Sequence, residues 1–353
     1  MYLQSLYLRN FRIYTERRFE FCPQVNVIRG SNALGKTSVL EALRVLMTGR
    51  SFRTSQSKDL VHHGASSFYI EAVFIKHGVE QSLAMSYDGK ERKILYNHSL
   101  CPSISGLLGL LQGALMVPDD IELVKGAPGN RRRFLDLQLT QIDPLYVHHL
   151  TRYWRAMRQR NYLLKMKNMS TVEPWEHEMA KAAAYIVKQR YRAVDSLQLM
   201  CRDVQRTLSG ERESLSLAYK TSAPNEEHNI HEMYLAHYEK NRSRELQLGT
   251  TLTGPHKDDL QISIGGKDAR YFASEGQQRS CVAALRFAEW EHLNQRAEDF
   301  PLMLIDDVGV SLDRTRRHKL LSLVENLQQV FLTTTEEFTS EGMKGCNLID
   351  LTP

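Results

Sequence analysis

The segment from Gly30 to Thr37, Gly-Ser-Asn-Ala-Leu-Gly-Lys-Thr, constrains the fold of this chain more than any other. An apolar run at 24–28 precedes it, and residues 36–49 repeat apolar side chains at helical spacing up to a glycine. The segment matches the pattern GxxxxGK followed by Ser or Thr. It also stands where that pattern requires, between a predicted strand and a predicted helix. In that geometry backbone N–H groups and the positive helix end face phosphate groups. The sequence therefore predicts a phosphate loop; the alternative is a glycine-rich turn that binds nothing.

The residue types in this loop indicate ATP and Mg²⁺ as ligands. Lys36 is expected to reach the β and γ phosphates, and the Thr37 hydroxyl is expected to bind Mg²⁺. The residues predicted to contact the ATP phosphates are Gly30, Ser31, Asn32, Ala33, Leu34, Gly35, Lys36 and Thr37.

A second motif is the compact apolar run 301–305, which ends in two aspartates. Such a run predicts a buried strand, and ligands of parallel sheets collect where the strands end. We expect Asp306 to hold Mg²⁺ and Asp307 to polarise the attacking water, so that Lys36, Asp306 and Asp307 are the catalytic candidates. The alternative is an acidic loop after a core strand.

A third motif, Ser274-Glu275-Gly276-Gln277-Gln278, stands where a helix is predicted to begin. A serine and a glycine at a helix start offer a hydroxyl and free N–H groups, which form another cradle for an anion. One chain has little use for two such cradles on one nucleotide. The alternative is a plain helix cap.

The length of 353 residues and the order of predicted elements indicate two lobes. Residues 1–117 and 297–353 are predicted to form an α/β lobe with a mixed sheet, which carries the phosphate loop and the aspartate pair. Residues 118–296 are predicted to form a largely helical lobe that includes the helix after Ser274. Two long helices between residues 144 and 210 predict a short helical-hairpin arm.

Composition narrows the class further. The formal net charge of +5 is a mild basic excess, compatible with a polyanionic partner without being diagnostic of one. Five widely spaced cysteines form no CxxC pair, so neither a disulfide framework nor a zinc site is predicted. The N-terminus does not resemble a signal peptide, and the apolar stretch 104–117 falls short of the ~18–20 residues that a spanning helix needs. We therefore expect a cytoplasmic protein.

Two arginine-rich regions are candidates for DNA contact. Arg131, Arg132 and Arg133 are either phosphate ligands or an intramolecular clamp, and the sequence leaves both open. A predicted helix is strongly basic, although its cationic face is equally compatible with a solvated surface. Its cations are Arg152, Arg155, Arg158, Arg160, Lys165 and Lys167. His256 lacks companions at metal-ligand spacing and is predicted to be structural.

The phosphate loop, the SxGQQ helix and the apolar-Asp-Asp strand, in this order, resemble the ATP-binding-cassette head of the SMC family. Within that group the chain resembles the RecF family of bacterial recombination mediators. The stretches that carry the likeness are 8–12, 49–54, 123–126, 131–136, 159–161, 253–259, 274–279 and 333–335.

The resemblance implies a dimer in which two heads sandwich ATP. In that arrangement Ser274, Gly276 and Gln277, the signature of one chain, grip the γ-phosphate held by the partner's phosphate loop, and Asp313 is a further candidate across the dimer. Ala33 departs from the family pattern, which has glycine there, and avoids strain only if its φ stays below zero. Val310 and Ser311 also depart from the pattern.

The resemblance further implies an ATP-induced homodimer on duplex or gapped DNA that helps to load RecA with RecO and RecR, in recombinational repair and SOS induction. Asp307, shorter than a glutamate, suggests a weak, DNA-stimulated ATPase that acts as a timer. Two other classes remain as alternatives. A transporter ATPase subunit shares the motifs but has a switch histidine, where this chain has the 333–335 threonines. A small-molecule kinase leaves the signature unexplained.

Overall fold

The computed structural model describes residues 1–210, 213–223, 229–296, 299–307, 314–335 and 346–352. The strands are β1 (Tyr2–Phe11), β2 (Tyr14–Glu20), β3 (Val25–Arg29), β4 (Phe68–Lys76), β5 (Val79–Tyr87), β6 (Arg92–Tyr96), β7 (Ser99–Cys101), β8 (Gly113–Met116), β9 (Leu215–Lys220), β10 (Asp259–Ile264), β11 (Lys267–Asp268), β12 (Leu302–Ile305), β13 (Gln329–Thr334) and β14 (Asn347–Asp350). The helices are α1 (Lys36–Thr48), α2 (Glu122–Lys125), α3 (Pro128–Ile142), α4 (Pro144–Lys165), α5 (Glu173–Ser209), α6 (Ile230–Leu248), α7 (Ala269–Phe272), α8 (Glu275–Arg296) and α9 (Arg314–Val324).

The chain divides into two compact units. The first comprises residues 1–121, 203–213 and 274–353, and the second comprises residues 122–202 and 214–273. None of the described helices is long and apolar enough to cross a bilayer.

The signature helix α8 belongs to the first unit, which differs from the predicted second lobe at 118–296. The sequence-based boundary grouped elements by type and so placed this helix with the other helices. In the structure α8 packs against β8 and is buried along most of its length. An ion pair of 2.5 Å between Arg286 Nη2 and Asp120 Oδ1 also fixes it. Packing on a strand, and not helical character, decides to which unit α8 belongs.

A parallel sheet in the first unit brings the predicted motifs to one edge. Its strand order is β14-β3-β13-β12-β8, and every residue of β12 and β13 is buried. Such continuous apolar runs are typical of strands covered on both faces. Gly30 follows the carboxyl end of β3, Asp306 follows that of β12, and β13 ends at Thr334. The sequence motifs therefore converge because their strands are neighbours.

Helix α1 follows the phosphate loop and packs against strands of both sheets of the first unit. The second sheet is antiparallel, in the order β2-β1-β4-β5-β6-β7, and includes the meander that turn residues between 67 and 96 predict. Every residue of α1 except Thr37 is buried. The single partly exposed residue of this helix is thus the one predicted to bind a metal.

The second unit contains a three-stranded sheet, in the order β11-β10-β9, and the predicted helical hairpin. Helix α4 and residues 173–202 of α5 form this hairpin in the second unit, and the hairpin is called the arm from here on. Side-chain contacts such as Arg160 with Glu176 and Arg152 with Glu178 connect the two helices.

Arg160 does not lie on the basic outer face that the sequence suggested, because its side chain is fully buried. Its Nη2 lies 2.8 Å from Glu176 Oε1 and 2.6 Å from Glu245 Oε2, and its Nη1 donates to Thr251 at 2.9 Å. The guanidinium also lies over the ring of Tyr238, 5.1 Å from its centroid. A buried cation with two carboxylates and a hydroxyl is therefore part of the core of this unit.

Arg160→Ala should destabilise the protein by about 3–5 kcal/mol, because it leaves the buried Glu245 without its cation and removes one of the two cations that contact Glu176, the other being Arg242. Arg158→Ala, on the exposed side of the same helix, is the matched control and should change the free energy of unfolding by less than about 0.5 kcal/mol. Equilibrium denaturation followed by circular dichroism measures both. Equal losses in the two variants would contradict the assignment of Arg160 to the core.

Candidate nucleotide-binding site

The loop between β3 and α1 has two residues with left-handed backbone conformation. Ala33 has φ 69° and Gly35, the N-cap of α1, has φ 89°. A Cβ at Gly35 would lie 2.7 Å from both Ile13 Cδ1 and Tyr14 Oη, so only glycine fits there without displacing a side chain. The condition that Ala33 keep φ below zero is not met, so its backbone carries the strain that glycine would avoid.

Lys36 folds back over the loop. Its Nζ donates to the carbonyl of Gly30 at 2.6 Å and to that of Ser31 at 2.9 Å. Burial lowers the pKa of the Lys36 ammonium, and the charges of Asp307 and Asp306 act in the opposite direction. The ammonium group is therefore held at the loop by carbonyls that phosphate oxygens can replace.

Asp306, which follows β12, contacts one side chain at the start of α1 and one near the end of β13. The Thr37 hydroxyl donates to Asp306 Oδ2 at 3.0 Å, and the Thr333 hydroxyl donates to Oδ1 at 2.6 Å. Burial is the main cause that raises the pKa of Asp306; the two hydroxyls oppose it, and the charge of Asp307 adds to it. A carboxylate and a hydroxyl side by side are hard oxygen ligands that suit Mg²⁺.

Asp307 has a left-handed backbone, with φ 53°, and its N–H donates to Thr333 Oγ1 at 2.8 Å. Its Oδ1 is buried and has no hydrogen-bond partner in the part of the chain that the structure describes. A buried oxygen without a partner is costly unless water, an ion or a ligand satisfies it. These residues therefore fit a site that receives further polar atoms.

The loop and the aspartates line a cleft of about 370 Å³ in the first unit. The lining residues are Ile13, Asn32, Ala33, Gly35, Lys36, Thr37, Ser38, Arg53, Pro118, Asp306, Asp307 and Thr333. The volume lies within the range of about 300–1,000 Å³ that is typical of ligand pockets. The first unit alone thus brings the phosphate loop and the aspartate pair together.

Five lining residues were not predicted as site residues: Ile13, Ser38, Arg53, Pro118 and Thr333. Arg53 and Thr333 do lie in stretches that carry the family likeness, which is the signal that pointed to them. Glu41, fully buried in α1, organises this side of the cleft: it accepts from Arg12 Nη2 at 2.6 Å, and its Oε2 lies 3.6 Å from Arg53 Nη1. Contacts between side chains that lie far apart in the sequence, such as these, cannot be read from the spacing of residues within one motif.

The signature residues do not line this cleft. Ser274 is exposed and forms a capping box at the start of α8: its N–H donates to Gln277 Oε1 at 2.8 Å, and the Gln277 N–H donates to Ser274 Oγ at 3.3 Å. Arg316 of α9 donates to the carbonyl of Gly276 at 2.8 Å. The structure therefore shows the local helix cap, and Ser274 is exposed at the start of α8.

The three consecutive arginines have different surroundings. Arg131 is buried, forms a bidentate pair with Asp259 at 2.7 and 2.9 Å, and donates to the carbonyls of Leu123 and Gly126. For Arg131 the intramolecular clamp is the correct alternative. Arg132 is half-buried and donates to the Asp258 carbonyl at 2.6 Å, whereas Arg133 is exposed.

His256 has both ring nitrogens within hydrogen-bond distance of protein atoms. Nδ1 lies 2.6 Å from the Tyr153 hydroxyl and Nε2 lies 3.1 Å from the Thr251 carbonyl. Burial lowers the pKa of His256 to about 4, so the ring is neutral. Its surroundings are those of a structural histidine, and no cluster of metal-ligating side chains occurs among the described residues. Asp313, Val310 and Ser311 lie outside the described residues.

A parallel sheet with a phosphate loop after one strand, an aspartate pair after another and an SxGQQ helix defines an ATPase head of the ATP-binding-cassette type. A solved Smc head bound to the C-terminal winged-helix domain of ScpA shares this fold: the TM-score is 0.56 at 16% identity, over 96% of this chain and 91% of that one.

The family model described as RecF/RecN/SMC N terminal domain matches residues 2–352. The DNA replication and repair protein RecF of Protochlamydia amoebophila is 52% identical over 95% of this chain and 94% of its own length. That of Symbiobacterium thermophilum is 38% identical over 95% and 92%. A structure of the recombination mediator protein RecF with ATP has a TM-score of 0.89 at 31% identity, over 96% of this chain and 93% of that one. The chain belongs to the RecF family.

Replacing Ala33 tests whether the loop needs its left-handed backbone. Ala33→Val should lower the affinity for ATP at least tenfold, because a β-branched residue strongly disfavours a positive φ. Ala33→Gly, the matched control, should bind ATP as the wild type does, with a stability change within about 1 kcal/mol, since relief of strain is offset by a more flexible unfolded chain. Titration with a fluorescent ATP analogue and thermal melting measure both effects. Unchanged binding by the valine variant would rule out the backbone requirement.

Proposed function

We propose that this protein is an ATP-gated DNA-binding protein of replication and recombinational repair. ATP induces a homodimer that holds duplex or gapped DNA, and slow hydrolysis of ATP releases it. In this proposal the dimer assists the loading of RecA together with RecO and RecR.

The main support for this proposal is that the phosphate loop and the signature of one chain do not line the same cleft. Lys36 and the aspartates share a cleft with the phosphate loop, whereas Ser274 is exposed and does not line that cleft. A nucleotide in the cleft therefore lacks the second cradle unless another chain supplies it. Such incompleteness makes ATP the link that holds two copies together.

Within one chain, each residue of the cleft has a role in binding. Lys36 exchanges the carbonyls of Gly30 and Ser31 for the β and γ phosphates, a change of partner that keeps its charge satisfied. Thr37 and Asp306 would hold Mg²⁺, and both are already side by side. When bound, Mg²⁺ would neutralise phosphate charge, and its positive charge would favour the ionised form of Asp306.

Asp307 is the residue proposed to accept a hydrogen bond from the attacking water. Its buried Oδ1 has no partner among the described residues, and the Thr333 hydroxyl fixes the backbone from which the side chain projects. An aspartate reaches one methylene less far than a glutamate, which suits slow hydrolysis. Slow hydrolysis in turn suits a switch that stays closed long enough for partners to act.

The relatives support DNA over the other candidate ligands. Their names place them in DNA replication and repair, and the neighbouring structure belongs to the RecFOR pathway. These names favour the DNA-binding role over that of a transporter ATPase subunit. DNA in duplex and gapped forms, RecO and RecR are therefore the proposed partners.

ATP-dependent DNA binding is tested with a fluorescently labelled gapped duplex. Anisotropy should show tight binding by the wild type only with Mg-ATP, and Lys36→Met should lose at least 90% of that binding, because a charge that contacts the phosphates is removed. Equal binding with and without ATP, or by the variant, would overturn the gating.

The cross-dimer site is tested by mixing two inactive variants. Ser274→Arg spoils the cradle offered to the partner, and Lys36→Met spoils a chain's own phosphate loop. Each variant alone should have little ATPase activity. In a mixture, the heterodimer has one composite site with both parts intact, so activity should return to at most about one quarter of the wild-type value, since half of the dimers are mixed and each has one of two sites.

The double variant Lys36→Met/Ser274→Arg mixed with wild type is the matched control: its mixed dimers contain no composite site with both parts intact, so its activity should not exceed that of the quarter of dimers that are wild-type homodimers. No recovery in the first mixture, although both variants fold and form mixed dimers, would contradict the exchange of cradles between chains.

A further inference from the structure

The outer face of α4 carries a row of exposed cationic and aromatic side chains. Arg155, Arg158, Tyr162 and Lys165, here called the arm stripe, are spaced three and four residues apart and therefore lie on one side of the helix. All four are exposed, and Tyr162 has 59% of its residue surface accessible. The arm stripe is thus a continuous surface feature.

The charge of α4 is of one sign only. The helix has no aspartate or glutamate from Pro144 to Lys165. Its opposite face is buried and holds Tyr153, Met157 and Leu164 beside the core arginine. The buried side chains account for the packing of the helix, so folding does not explain the row of charges outside.

The cations of the arm stripe form no ion pair with a described residue, although Glu178 lines the same cavity as Arg155. Arg152, one turn away, is paired with Glu178. Among the described residues, no acidic side chain lies within ion-pair distance of Arg155, Arg158 or Lys165. Like charges on adjacent turns repel each other unless an anion from outside neutralises them.

The dimensions of the arm stripe suit a nucleic acid backbone. Ten residues of helix separate its first and last members, a length of roughly 15 Å, which equals about four base-pair steps at 3.4 Å each. An aromatic ring between cations is typical of surfaces that bind phosphates and stack on bases. Arg155 also lines a cavity of about 270 Å³ with Trp175, which places a second aromatic side chain beside this end of the stripe.

We propose that the arm stripe binds the sugar–phosphate backbone of DNA, with Arg155, Arg158 and Lys165 on phosphates and Tyr162 on an adjacent sugar or unpaired base. This inference rests on the proposed DNA-binding function and assigns part of it to one surface. It also separates Arg158 and Arg155, which contact DNA, from Arg160, which stabilises the fold.

Arg155→Ala/Arg158→Ala tests the proposal through the salt dependence of binding to gapped DNA with Mg-ATP. Each phosphate contact contributes about 0.9 to the slope of log affinity against log salt, so the slope should become shallower by about 1.8. Lys90→Ala/Lys93→Ala removes the same charge from exposed positions in the first unit and should keep the wild-type slope. ATP binding without DNA should be unchanged in both.

The outcomes separate this inference from the proposed function. If wild type binds DNA and the arginine variant has the same slope, or if the lysine control loses as much, the arm stripe is not the contact. Normal DNA binding by the variant with loss of binding to an acidic protein would assign the stripe to that protein instead. Absence of DNA binding by the wild type would refute the proposed function itself.

Tyr162→Ala distinguishes the role of the ring. If it stacks on an unpaired base, affinity for gapped DNA should fall about 5- to 150-fold, since stacking contributes roughly 1–3 kcal/mol per base. Tyr162→Phe should retain binding. A phenylalanine variant as weak as the alanine variant would exclude stacking, and so would an alanine variant that binds as the wild type does.

Discussion

The contact of Asp306 with Thr37 and Thr333 is the interaction on which the first unit depends. Thr37 and Asp306 are 269 positions apart in the chain, yet their side chains meet because β3, β13 and β12 are neighbours in a parallel sheet. Burying a carboxylate is unfavourable without hydrogen bonds, and the two hydroxyls supply them. The same oxygens that make this burial tolerable are those suited to a metal, so packing and binding use one set of atoms.

Local periodicity was enough to predict β3, β12, α1 and the arm, because each has a strong hydrophobic pattern of its own, but it did not predict β8, β14, α3 or α9. It was not enough to assign charged residues to roles. Arg160 and Arg158 stand two positions apart in the same basic run, but one is core and the other surface. Arg131 likewise is a clamp within the second unit, where its sequence allowed a DNA contact. Such distinctions depend on distant carboxylates, which no local pattern reveals.

The residues that line the cleft were likewise only partly predictable from the sequence. Lys36, Asp306 and Asp307 were recognisable because each follows a strand in a motif with a mechanical reason for its residues. Arg53 and Thr333 reach the cleft only through tertiary pairing. The unit to which α8 belongs was also not predictable from its helical character, since burial against β8 decides it. Motifs identify what chemistry a chain carries, and packing determines which further side chains surround it.

The near-complete burial of α1 has a consequence for the kinetics of nucleotide entry. With every residue but Thr37 packed inside, the helix cannot shift without disturbing strands of both sheets. The receptor for the phosphates is therefore preformed, and the movement left for the first step is a change of partner by the Lys36 side chain. Side-chain rearrangements are fast compared with domain closure, so capture of ATP by a single chain is expected to be an encounter-limited event. In the proposed dimer the slow step is then the meeting of two ATP-loaded chains, so protein concentration, more than nucleotide concentration, would set how quickly the dimer forms.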